Sequence, residues 1–463
     1  MKSSSNNGNQ RPDKSKRTFV SDEVEKYLEI QSAKIKNEDI ARIFVNCYPN
    51  TLDTTVEFDK ASKDTFIITG DIKAMWLRDS SFQVYPYLQH CLKDSHLNDM
   101  FLGLFNRQIK CILIDPYANA FNKTDKSSPW INDQTYKLVN GSKVRAMTTK
   151  LWERKFELDS LMSPFFIMCK YYEVTKNGSF ITDEFYKAID STLYVIQQEK
   201  RGTDDEDKDK GPEYTFQRSG LEPFDSQHQG RGNPCKTCGL VKCNFRNSDD
   251  ATTFSYNIPE NAMIASTFLS LADMLDKIPG AKEGYAAKIR KLGTEIKDSI
   301  YKHGILTDYT TDEQYFAFEV DGFGNYLFMD EPGYPSLISL PFLGFCKAND
   351  QIFLNTKKRI LSDKNPYYIV GKSGSGVASS HSYRKYVWPL FTLMQGITSI
   401  NKEEIKKCLD LLVTSARSTG FMHESFHIDN PSQFTRSWFS WANSFFGVFI
   451  DSILEKCPEL INK

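Results

Sequence analysis

The feature that most limits what this chain can fold into is a long succession of segments with helical apolar spacing and very few that read as buried strands. It starts near Val20, where SDEVEKYLEIQSAKIKNEDIARIFVNCY offers Ser21 or Asp22 as a cap and Glu25 as a box partner for Asp22. After a short β-prone run, TFIITGD, the segment AMWLRDSSFQVYPYLQHCL predicts a helix beginning at Asp79 or Ser80. MFLGLFNRQIKCILI, FELDSLMSPFFIMCKYYEVT and FITDEFYKAIDSTLYVIQQE continue the pattern. Beyond a charged stretch, residues 200–212, that reads as a solvated excursion, SDDATTFSYNIPENAMIASTFLSLADML opens a further helix pair, with Pro259 marking a kink or break. Helices are then expected over 281–303, 334–349, 385–399 and 402–415, and a last one after Arg436 that presents Trp438, Trp441, Phe445 and Phe449 on one face.

Close to a dozen helices without βαβ alternation define a mostly α protein. Paired helices on this scale form either an open solenoid or a closed toroid of hairpins, and the absence of a fixed-period repeat disfavours the solenoid. With 463 residues the chain is one large domain or two ordinary ones. The polar, basic start MKSSSNNGNQRPDKSKR has no apolar core of a secretory signal, so residues 1–17 are expected to be a disordered tail and 18–463 a single catalytic domain. The compartment is then cytoplasmic by default, with the secretory pathway open if a leader has been removed.

Lys and Arg nearly balance Asp and Glu, for a net charge of −1, which leaves no footprint for nucleic acid or an anionic membrane and favours neutral ligands. No apolar run is long enough to span a bilayer. Ten cysteines are scattered through the chain, with Cys235, Cys238 and Cys243 the one concentrated group. That spacing is half of a zinc site without its partner half, or else an oxidised loop staple, and no metal or other cofactor is expected.

Aromatic residues make up 13% of the chain, which suits a cleft that stacks on sugar rings as well as it suits a large aromatic core. GFMHESFHIDNPSQFTRSWFSW sets Glu424 between His423 and His427 and follows them with Asp429 and Arg436, a set that fits a sugar subsite. Glycosidic cleavage needs a second carboxyl group. The concentrated candidates are Asp79 in WLRDSS, where Arg78 would hold it ionised and a helix cap is the competing role, and the pair Asp249 and Asp250 in FRNSDDATTF, at what reads as a helix start. The residues themselves leave open which of the two aspartates points inward.

GDIKAMWLRDSSFQVYPYL, FELDSL, GLVKCNFRNSDDATTFSYNIP, FEVDGFGN, PSLISLPFLGF, NPYYIVG and MHESFHIDNPSQFTRSWFSWANSFFG together resemble glycoside hydrolase family 125 from about Gly70 to Gly447. The resemblance implies an (α/α)6 barrel, with short β elements and long loops, and a metal-independent exo-α-1,6-mannosidase that inverts the anomeric centre. It implies that one of Asp249 and Asp250 is the general acid and Glu424 the general base. Trp76, Arg78, Asp79, His423 and Arg436 would hold the terminal mannose, with His381 and Asp321 as further candidates. Inversion would set the two carboxyl groups roughly 6.5–9.5 Å apart, leaving room for water. The substrate would be a mannose-containing oligosaccharide or N-glycan. Three departures concern loops: Asn247 stands where proline is more usual, VASSH at 377–381 replaces a loop that commonly reads GSPH, and residues 200–238 read as an insertion. The competing readings are a carbohydrate-binding protein on a degenerate hydrolase scaffold and an α-mannosidase of another linkage preference.

Overall fold

The computed structural model describes residues 9–218 and 225–461. Fourteen α-helices run through them: α1 Asp22–Ser32, α2 Glu38–Cys47, α3 Asn50–Thr54, α4 Leu77–Phe82, α5 Ser95–Ile114, α6 Leu158–Thr175, α7 Asp183–Glu199, α8 Thr203–Lys208, α9 Ile258–Leu275, α10 Tyr285–His303, α11 Gln351–Ile360, α12 Pro389–Thr398, α13 Lys402–Ala416 and α14 Ser440–Lys456. The strands are short and pair in small two- and three-stranded sheets, so the class is mostly helical with short β elements. None of these helices is long and apolar enough to cross a membrane.

The local code explains most helix boundaries. Ser21, Asn37, Thr182, Asn257, Asp350 and Asn401 each accept a backbone N–H of the first turn. Pro259 does not kink a helix but sits in the first turn of α9, where its missing N–H costs nothing. The helix expected over 334–349 is absent: Pro335 and Pro341 break it, and what forms is a 3-10 turn at Leu337–Ser339 closed by a Ser336–Ser339 capping box. Asp79 is not a cap, because α4 already begins at Leu77. Glu25 is not a box partner for Asp22 either. It binds Arg11 and Arg17.

By contact density the chain divides into two compact units. The first comprises residues up to 73, 79–104 and 369 onward, within which α14 packs against α2, α3 and α12. Trp441, Phe445 and Phe449 of α14 are buried as the sequence predicts, with Trp441 stacked on Phe82 at 5.4 Å between ring centroids. Trp438 precedes the helix. Residues 1–8 of the expected tail lie outside the described residues, but 9–17 are not a loose tail. The buried Arg11 guanidinium donates to Asp53 at 2.7 Å and to Glu25 at 3.0 Å, because the buried Asp53 and the half-buried Glu25 need a cation.

The second unit comprises residues 74–78 and 105–368. Here α9 packs on both α6 and α10, and α6 and α9 are buried on nearly all faces while α10 is amphipathic. The charged stretch at 200–212 is no simple solvated excursion. It folds as α8, whose buried Glu206 pairs with Lys242 and with Arg231 at 2.6 Å. Residues 219–224 of the expected insertion lie outside the described residues. Cys235, Cys238 and Cys243 carry no disulfide, and among the described residues no group of histidine, cysteine and carboxylate side chains is arranged to hold a metal ion.

Candidate active site

Within the first unit, Glu424 is positioned by a tight antiparallel hairpin. Strand Phe426–His427 pairs with Asn430–Phe434 on one side and Tyr386–Val387 on the other, and Val387, Leu411, Phe426 and Ile428 form the apolar cluster beneath. Because the hairpin folds back at once, Glu424 and Arg436 become neighbours. Arg436 Nε donates to Glu424 Oε1 at 3.0 Å and the Thr435 hydroxyl donates to Oε2 at 3.1 Å. The guanidinium also reaches Asp71, and Asp79 adds to the negative field around it. Three carboxylates thus share one arginine, and the Glu424 side chain keeps 17% of its surface open to solvent. A charge-assisted bond of this kind orients the carboxylate.

The histidines flanking Glu424 do something else. His423 is wholly buried and stacked on Phe434 at 3.9 Å, and its Nδ1–H donates to the Arg436 carbonyl at 2.7 Å. Burial holds its imidazole below the usual range, so it is neutral and braces the backbone at Arg436 through Nδ1, while Nε2 has no hydrogen-bond partner among the described residues. His427 Nδ1 accepts the Asp429 N–H, and Asp429 in turn binds Lys385 at 2.6 Å. His381 lies exposed in the turn after strand Gly374–Val377, its N–H donating to Ser379 Oγ. Trp438 is half-buried against Gly70, where an added Cβ would come within 3.0 Å of the indole at a φ of +145°.

In the second unit the Asp249–Asp250 pair is not at a helix start. Arg246 N–H donates to the Asp250 carbonyl at 2.8 Å and Asp249 N–H to the Arg246 carbonyl at 2.9 Å, with Phe245 bridged to Ala251. This is a three-residue hairpin loop, and Asp249 takes its left-handed position at φ +69°, where glycine is the usual occupant. A non-glycine residue there costs about 1 kcal/mol or more, although aspartate tolerates the region better than most side chains. The turn separates the two side chains: Asp250 is 1% exposed on the side of Arg246 and Glu331, whereas Asp249 is half-buried.

The hairpin is fixed from both ends. Arg246, itself buried, binds Glu319 at 2.7 Å and Glu331 at 3.1 Å, and Ser248 Oγ donates to Glu331 at 2.6 Å. Burial pushes the Glu331 carboxyl up to about 7 against the pull of Arg246. Asn247, in the place where proline was expected, donates to the Pro335 carbonyl at 2.6 Å. Gly333 allows that approach, since a Cβ there would lie 1.9 Å from Asn247 Oδ1.

Arg78 and Trp76, expected to line the sugar subsite, are both buried. Trp76 lies in a two-residue strand opposite Ala120, and Arg78 Nη1 is committed to Glu157 at 2.7 Å and Asp159 at 3.2 Å. Asp321 only closes its own loop, accepting from Phe323 N–H at 2.8 Å and from Asn325. Sequence reasoning did not single out Glu157 and Asp159. One signal was available: Glu157 occupies the N-cap of α6, where glutamate caps poorly and here does not cap at all.

Residues 37–451 match the family of metal-independent α-mannosidases, GH125. Meiotically up-regulated gene 157 protein of Schizosaccharomyces pombe is 39% identical, over 98% of this chain and 90% of its own. Among solved structures, a Streptococcus pneumoniae metal-independent α-mannosidase in a non-productive complex with α-1,6-mannobiose is 33% identical with a TM-score of 0.86, covering 95% of this chain and all of its own. A bacterial glucoamylase bound to acarbose shares the fold alone, at a TM-score of 0.52 and 12% identity over 94% of this chain and 59% of its own.

Proposed function

The chain belongs to the metal-independent α-mannosidases of family GH125 and is a glycoside hydrolase, and from that premise we propose that it is an exo-acting α-1,6-mannosidase that inverts the anomeric centre. Asp249 is the general acid and Glu424 the general base. Asp249 protonates the glycosidic oxygen as its bond to C1 breaks, water bonds to C1 from the opposite face, and the water proton passes to Glu424, releasing β-mannose. Asp79 and Arg436 hold hydroxyls of the terminal mannose. The physiological substrate is a mannose-containing oligosaccharide or N-glycan.

The observation that carries this reading is the strained turn at Asp249: it leaves that residue half-buried while turning Asp250 into the buried field of Arg246. The linkage is supported by the α-1,6-mannobiose bound to the pneumococcal relative. An (α/α)6 barrel forming one catalytic domain from residue 18 goes with the reading, supported by the buried α6 and α9 beside amphipathic α10 and by the likeness to glucoamylase.

The test is hydrolysis of α-1,6-, α-1,3- and α-1,2-linked mannobiose in EDTA, followed by NMR from the first minutes. Turnover of the α-1,6 isomer in preference to the others, with β-mannose formed first, is expected. α-Mannose as the first product would refute the water-activating role of Glu424, and a preference for another linkage would refute the substrate.

A further inference from the structure

The aspartate proposed as the acid has a carboxyl neighbour. The run leading into α6 lies alongside the hairpin: Phe245 N–H donates to the Phe156 carbonyl at 3.0 Å, Leu158 N–H to Cys243 Sγ at 3.5 Å, and Lys155 Nζ to the Asp249 carbonyl at 2.7 Å. This register sets the Glu157 side chain against Asp249, and the two carboxyl groups hydrogen-bond. Two ionised carboxylates are both acceptors and cannot bond to each other, so the contact holds a proton.

Glu157 is otherwise fully engaged. Its Oε1 accepts from Asn119 at 3.0 Å, and its Oε2 from Arg78 at 2.7 Å and Ser160 Oγ at 2.8 Å, with no side-chain surface exposed. The charged groups facing the pair come from several elements. Arg78 is the cation on the Glu157 side, buried Asp159 adds negative charge, burial pushes the neighbouring Glu260 carboxyl well above the usual carboxylate range, and the Cys243 thiol is pushed up by burial among them. Glu153 shares Asn119, and buried Lys155 stands on the Asp249 side, bound to Asp225 at 2.9 Å. Burial pushes the Glu157 carboxyl well above the usual carboxylate range, with Arg78 opposing and Asp249 reinforcing.

We propose that Glu157 is a positioning residue that shares one proton with Asp249, orienting its carboxyl group and keeping it loaded for delivery to the glycosidic oxygen. The inference rests on the assignment of Asp249 as the acid. The pair titrates as a unit, and the alkaline limb of kcat/KM reports loss of its proton. In Glu157→Gln the amide donates to Asp249 and stabilises its ionised form.

The experiment compares pH profiles of the wild type and Glu157→Gln on α-1,6-mannobiose and on 2,4-dinitrophenyl α-mannoside, whose leaving group needs no proton. The alkaline limb on mannobiose should move down by about one pH unit or more, with the dinitrophenyl substrate spared. An unmoved limb with equal losses on both substrates would show a merely structural role and overturn the proposal. If Glu157→Gln does not fold, Glu157→Asp carries the test, since its shorter arm weakens the same bond and should move the limb in the same direction. Asp249→Asn separates the two failures. Equal loss on both substrates in that variant sinks the assignment of the acid, whereas sparing of the dinitrophenyl substrate beside an unmoved limb in the Glu157 variant sinks this inference alone.

Discussion

Replacing Glu424 by glutamine tests the proposed base with little change of shape. Its carboxylate accepts from Arg436 Nε at 3.0 Å and from the Thr435 hydroxyl at 3.1 Å. The carboxamide oxygen can keep one of these bonds, while its NH2 faces a donor. A charge-assisted bond of that kind is worth about 1.5–3 kcal/mol in a buried setting, and less here because Arg436 retains Asp71 as a partner. The fold therefore survives, and the main loss is chemical. A positioned general base contributes about 10²–10⁴ in rate, or about 2.7–5.4 kcal/mol of barrier at 1.36 kcal/mol per tenfold. Since the base acts only as water attacks, kcat should fall by that factor with KM nearly unchanged. Initial rates on α-1,6-mannobiose, with a circular-dichroism melt as the folding control, measure both quantities. Azide, which attacks without giving up a proton, should restore turnover and yield β-mannosyl azide. A kcat within tenfold of the wild type, or no response to azide, would refute the assignment.

Two further outcomes concern the supports of the site. Arg246→Met leaves Glu319 and Glu331 buried without their cation, and should cost about 3–5 kcal/mol by urea denaturation at neutral pH. The deficit should shrink below about 7, where Glu331 takes up a proton, and an unchanged midpoint would count against the clamp. Asp330 accepts the Leu337 and Ile338 N–H groups in full burial, and that burial raises its carboxyl from 3.8 to about 8. The folded state therefore binds a proton that the unfolded chain releases, so the contribution of Asp330 is complete below about 4 and is lost as pH rises through about 8. Melting temperatures across that window should fall more steeply in the wild type than in Asp330→Asn.

Parts of the site were legible because their determinants are local. Glu424 and Arg436 lie within one hairpin, so a short motif contains both partners, and the aromatic face of α14 follows from a 3.6-residue period alone. The Asp249–Asp250 pair was visible as chemistry and misplaced as structure. Polar residues before an apolar run read equally as a helix cap or a hairpin loop, and the choice rests on Phe245 finding both Phe156 and Ala251. Side-chain type says nothing about burial, so the ion pairs of Arg78 with Glu157 and Asp159 and the stacking of His423 on Phe434 are not visible in the sequence.

The order of helices, their caps and the two carboxylate motifs are properties of short stretches of sequence, where propensity and spacing act between near neighbours. Which aspartate of the pair is accessible, which cation neutralises which acid, and that Glu157 touches Asp249 depend on segments remote in the chain. Those relations arise only when burial removes water and forces each charged group to find a partner within reach, so tertiary structure alone decides them.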